Sequence, residues 1–112
     1  MGYQDDIEHQ LRMLDVTWQA FEENGVTPET ELILEFAYLC PNRKAAESLD
    51  EALEDYESAI RSEGLLKKKW YVEGKTHPTQ VTKEVLAQWL DFMVALGWQH
   101  GSEFDGFGAS MP

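Results

Sequence analysis

Three histidines, one cysteine and a few hydroxyls are the groups in this chain that could make or break bonds. None sits in a complete catalytic pattern. A metal site would have to join His77 and His100 to a carboxylate such as Asp105, and no ligand spacing requires it. His9 stands alone, and a lone histidine is more often a structural or solvent group than a ligand. Cys40 has no helix start or paired histidine beside it to lower its pKa, so an inert, buried thiol is expected. Ser48 and Ser102 have no visible base partner, which leaves a hydrolase without support. The chain has no phosphate loop, GxSxG, HExxH or GxGxxG, and Gly106-Phe107-Gly108 is a bare Gly-x-Gly with no helix after it. The expectation is a protein without catalysis, metal or organic cofactor.

Carboxylates are the abundant group. The 112 residues carry 21 Asp+Glu against 9 Lys+Arg, a net charge of −12. Such a balance argues against binding nucleic acid, whose phosphates demand a basic face. It argues equally against an anionic membrane surface. The densest acidic run is Glu47, Asp50, Glu51, Glu54, Asp55 and Glu57, read as the outer face of a helix. Such a face either keeps the protein soluble or meets a basic protein partner, drawing it in by electrostatic steering. Lys67-Lys68-Lys69 is the only basic cluster, read as guarding a strand edge.

These groups need a frame. The length fits one domain, 1–112, with a helix over 4–24 and an α/β core over 30–111. An apolar content of 43% excludes a disordered acidic tail. One cysteine excludes an internal disulfide and a Cys-rich zinc site, and favours a reducing compartment. No signal peptide or membrane-spanning run is visible, so a cytoplasmic protein is expected.

The helical spacing of Ile7, Leu11, Leu14, Trp18 and Phe21 predicts the first helix, stopped by Asn24-Gly25. Alternation predicts a strand over 31–40, with Leu32, Leu34, Phe36, Tyr38 and Cys40 on one face. The stripe Leu49, Leu53, Tyr56, Ile60 predicts a helix over 43–63, capped by Asn42 or Ser48 and stopped by Gly64. Residues 65–75 read as a second strand. Residues 79–96 read as a third helix, capped by Thr79 or Thr82 and stopped by Gly97, and residues 103–110 as a last, Gly-rich strand. Trp18, Trp70 and Trp89 fall on apolar stripes, which leaves Trp98 as the candidate exposed anchor. The alternating order predicts an α/β (α+β) sandwich: a small mixed sheet of three to four strands with helices packed on it. Strands joined through the second helix should be parallel.

The ending Glu103-Phe104-Asp105-Gly106-Phe107-Gly108 resembles the closing aromatic-Asp-Gly-aromatic-Gly strand of the ribonuclease E regulator B family. The apolar strand Leu32 to Leu39, the stretch Ala-Ala-Glu-Ser-Leu at Ala45 to Leu49, and the strand and long helix that follow are similar in order, roughly over residues 8–111. The resemblance implies a ferredoxin-like fold. It also implies an acidic, non-enzymatic, bacterial cytoplasmic protein that binds and inhibits ribonuclease E, or another nuclease with a basic surface. The candidate contact residues are the acidic run above together with Glu103 and Asp105. Phe104, Asp105, Gly106, Phe107 and Gly108 are expected to serve backbone geometry, because a strand glycine often marks a bulge. Gly64 to Lys75 is short for the family's hairpin. Two rival readings remain: an immunity protein that neutralises a toxin nuclease, and a small metal-dependent enzyme using His77, His100 and Asp105.

Overall fold

The computed structural model describes residues 2–111. The chain runs α1 (Tyr3–Glu23), β1 (Glu31–Cys40), α2 (Arg43–Ala52), β2 (Glu57–Glu63), β3 (Lys69–Lys75), β4 (Thr79–Gln80), α3 (Lys83–Gln99) and β5 (Glu103–Ser110). It is an α+β arrangement of one sheet with helices. The sheet holds five strands rather than three or four, and its pairings are all antiparallel rather than mixed.

β1 is the central strand. One of its edges pairs with β3 over Glu35–Cys40 and then, past a break at His77-Pro78, with β4 over Glu31–Leu32. Thr76 bridges that break: its N–H donates to the Leu34 carbonyl at 2.9 Å. The other edge of β1 pairs with β5 over Ile33–Leu39. β2 pairs with the outer edge of β3. β1 and β2 therefore run in the same direction with β3 between them, as do β3 and β5 with β1 between them.

Residues 43–63 are not one helix. Asn42 caps α2, its side chain accepting from the Ala45 N–H at 2.8 Å, but the helix ends at Ala52. Tyr56 and Ile60 keep helical spacing with Leu49 and Leu53, yet Ile60 lies in a strand whose burial alternates. The strand pairs with β3 over its whole length, Glu57–Glu63 against Lys69–Lys75, and Ile60 packs against the core from its half-buried face. The Ser58 hydroxyl ties the two elements by donating to Asp50 Oδ1 at 2.6 Å. The added strand reverses the chain, so β3 meets β1 antiparallel and not in the parallel sense expected. It also makes Glu57–Lys75 one long hairpin. The lysine cluster falls at the tip of that hairpin instead of along a sheet edge.

α3 starts at Thr82, whose hydroxyl accepts from the Val85 N–H at 3.2 Å, while Thr79 belongs to β4. The helix runs through Gly97, which is a buried helical residue and not a stop. Gly101, at φ 67°, turns the chain instead.

The core face of β1 is Leu32, Leu34, Phe36, Tyr38 and Cys40, all buried. It shares one cluster with Leu49 of α2 and with Leu86, Leu90, Met93 and Val94 of α3. α1 lies along α3, adding Ile7 and Leu14, and the Gln10 amide donates to the Phe104 carbonyl at 3.4 Å. No helix among the described residues is long and apolar enough to cross a membrane.

Candidate functional site

Among the described residues no helix covers the opposite face of β1, whose side chains are exposed or half-buried. Strand register sets the side chains there in rows. One row runs Glu57, Lys75, Glu35, Gly108 across β2, β3, β1 and β5, and the next runs Ala59, Glu73, Ala37, Gly106. This face holds an open depression of about 620 Å³, rimmed by Glu35, Glu57, Glu73 and Asp105 and floored by Ala37, Ala59, Gly106 and Gly108.

The rim is acidic, but not uniformly free. Lys75 Nζ lies 3.5 Å from Glu57 Oε2. Arg61 Nε donates to Glu73 Oε1 at 2.8 Å, its guanidinium also bonds Glu63, and it stacks 4.3 Å over the Tyr71 ring. Hydrogen bonds that it donates to Glu73 and then Glu63 push the Arg61 pKa up. Glu35 and Asp105 make no ion pair among the described residues.

Asp105 reaches the rim through a β-bulge. Ala37 pairs with Gly106 and Tyr38 with Phe104, which leaves Asp105 as the extra residue. Simple alternation would put Phe104 and Phe107 on opposite faces, because they are three positions apart. The extra residue lets both rings face the core. Phe104 meets Tyr38 at 5.2 Å and Phe107 meets Trp89 at 5.7 Å. Gly106, at φ 151°, takes the backbone conformation this requires.

No family model and no curated protein sequence matches this chain. Its functional reading therefore rests on its own surfaces.

The acidic run does not form one helix face. Glu47 and Glu51 are exposed on α2, Glu54 and Asp55 lie in the turn after it, and Glu57 is on β2. Glu47 lies 3.9 Å from Arg43. Asp50 is half-buried and engaged by Ser58. Only Glu57 joins Asp105 in the depression. Glu103 lines a separate groove of about 560 Å³ with Leu39, Lys68 and Trp98. Trp98 is 45% exposed, and its indole N–H donates to Asp6 at 2.9 Å.

His77, His100 and Asp105 lie on three different segments, and no three His, Cys, Asp or Glu side chains among the described residues could hold a metal. Ser48 does have a partner, which sequence spacing did not suggest: its Oγ lies 2.6 Å from His100 Nδ1. No carboxylate bonds the other ring nitrogen among the described residues, so the pair lacks the third group that orients a catalytic base. Cys40 is buried. Burial pushes its thiol pKa up, against smaller lowering by hydrogen bonds from Ser102 and the Val72 backbone.

Glu35, Glu73, Lys75, Ala37 and Ala59 were not singled out by sequence. The available signal was the polar face of the 31–40 alternation, where Glu35 and Ala37 sit, together with two glycines spaced two apart at 106 and 108.

Proposed function

We propose that this chain is a non-enzymatic binding protein whose open sheet face holds a basic surface of an RNA-processing nuclease and inhibits it. This is the activity implied by its resemblance to the ribonuclease E regulator B family. One observation carries the reading: Glu35, Glu57, Glu73 and Asp105 converge around a floor of alanine and glycine on a face that no helix covers. A floor without long side chains lets a partner's arginine approach the sheet closely. Carboxylates without ion pairs, Glu35 and Asp105, are suited to bidentate arginine. The net charge of −12 favours a basic protein over nucleic acid as partner. We read the order β2-β3-β1-β5, with each helical crossover stepping over one strand, as ferredoxin-like with β4 as a short addition. A single buried thiol suits the reducing cytoplasm.

The test is RNA cleavage by purified ribonuclease E, titrated with the wild-type chain and with the Glu35→Lys/Asp105→Lys variant. The expected result is saturable inhibition by the wild type that weakens as salt rises and is lost in the folded variant. Full-rate cleavage at saturating wild-type protein would overturn the ribonuclease E target. Inhibition of a toxin nuclease instead would make the chain an immunity protein acting through the same surface.

A further inference from the structure

The β2–β3 hairpin ends in Gly64-Leu65-Leu66-Lys67-Lys68. Leu65 is 96% and Leu66 100% exposed. Apolar side chains gain by leaving water, so two adjacent exposed leucines mark a surface that gains by being covered. The turn holds them out. Gly64 has φ 96°, and a Cβ there would lie 2.6 Å from the Lys67 carbonyl oxygen. Lys67, Lys68 and Lys69 follow, all exposed. They are three of the nine basic residues in a chain of net −12. The tip is apolar and basic on a body that is strongly acidic.

We propose that this tip docks into the open sheet face of a second copy of the chain, forming a reciprocal two-fold dimer. The chemistry is complementary. Ala37 and Ala59, on either side of Glu73, offer short apolar side chains to the leucines, and Glu35 and Asp105, without ion pairs among the described residues while Lys75 is held by Glu57, face the incoming lysines. The geometry also closes. Glu57, at the depression, and Glu63, near the tip, are six residues apart on one strand, about 20 Å at 3.3 Å per residue. A two-fold axis parallel to the sheet, crossing the strands above the open face and midway between them, turns the second copy face to face and lays each tip over the other copy's depression at once. Such an isologous contact stops at two chains. A hairpin tip in a shallow depression is a small interface, so the dimer grows with concentration and falls with salt. It requires only this chain and does not rest on the nuclease reading.

Sedimentation of the purified protein over a concentration series tests it, at about 0.1 M salt, where a Debye length of about 10 Å screens the repulsion between two chains of −12 but leaves contact pairs attractive, and at 1 M, where it is about 3 Å. The wild type should dimerise at low salt and revert to monomer at high salt. Lys67→Glu/Lys69→Glu and Glu35→Lys/Asp105→Lys should each be monomeric alone, because each sets like charge against like. Mixed together they should form a heterodimer, since both contacts again join opposite charges. That result requires both variants to be folded. A wild type that stays monomeric at low salt overturns the proposal. So does a wild-type dimer that either variant preserves, or a mixture that does not assemble.

Discussion

Gly97 of α3 lies against the ring of Tyr38 on β1: a Cβ at position 97 would be 2.8 Å from Tyr38 Cε1 and 3.0 Å from the Ser102 carbonyl oxygen. One turn earlier on the same helix, the Met93 carbonyl accepts a 2.7 Å hydrogen bond from the Tyr38 hydroxyl. Helix and sheet are in direct contact here, and the contact fixes the height of α3 above the strand that carries Ala37 and Glu35 on its far face.

Gly97→Ala should therefore destabilise the fold. Overpacking of about 1–3 kcal/mol outweighs the roughly 1 kcal/mol that alanine normally gains over glycine in a helix. The denaturant midpoint should fall with an unchanged m value. A more stable variant would mean that the layers have room at this point.

Alkaline pH should weaken the fold in two stages. Burial pushes the Tyr38 hydroxyl far above its usual value and raises the Cys40 thiol. The unfolded groups titrate near 8.5 for cysteine and 10 for tyrosine. Each contribution is complete below the unfolded pKa and is lost as pH rises toward the folded one. Stability should decline from about pH 8.5 and more steeply above about 10. Tyr38→Phe should cost about 1 kcal/mol near neutrality, through the lost hydrogen bond, and flatten the upper part of the decline. Identical slopes above pH 10 in the two proteins would assign that loss to other groups.

The two glycines of the closing strand should separate fold from surface. Neither would place a Cβ within 4 Å of another group, but Gly106 has a φ of 151°. Gly106→Ala should cost about 1–3 kcal/mol through the backbone alone. Gly108→Ala should gain about 0.5–1 kcal/mol, melt at or slightly above the wild-type temperature, and raise the floor of the depression beside Glu35. Equal melting shifts in the two variants would contradict this division.

The carboxylates should divide in the same way. Reversing Glu35 and Asp105 should slow association with a basic target at low salt more than reversing Glu51, Glu54 and Asp55. Asp50→Ala should lower stability by about 1 kcal/mol, through Ser58, and leave the association rate unchanged. Stopped-flow association rates over a salt series, with melts of the same samples, read both effects. A larger loss from the Glu51 set would move the contact surface to α2 and its turn.

Where local pattern and tertiary demand agreed, the fold was legible from sequence. Residues 31–40 alternate cleanly and form β1 with those bounds, and 103–110 form β5. Residues 57–63 were misread because Tyr56 and Ile60 share one spacing with Leu49 and Leu53. What selects a strand there is pairing with β3, which a local window does not contain. Gly97 was misread because glycine serves both helix ends and close packing, and only the position of Tyr38 separates the two uses. The depression draws on four strands, so no single stretch announces it, and acid density pointed to α2 instead. Ser48 and His100 meet across 52 positions, with no pattern linking them.

The central strand is synthesised before the partner for its second edge, and five other elements lie between them in the chain. At about 5–20 residues per second, several seconds pass on the ribosome between Cys40 and Glu103. Throughout that interval one edge of Ile33–Leu39 has no native neighbour. A nascent chain stalled before Glu103 would present an unpaired, largely apolar strand to any chaperone, protease or foreign strand within reach.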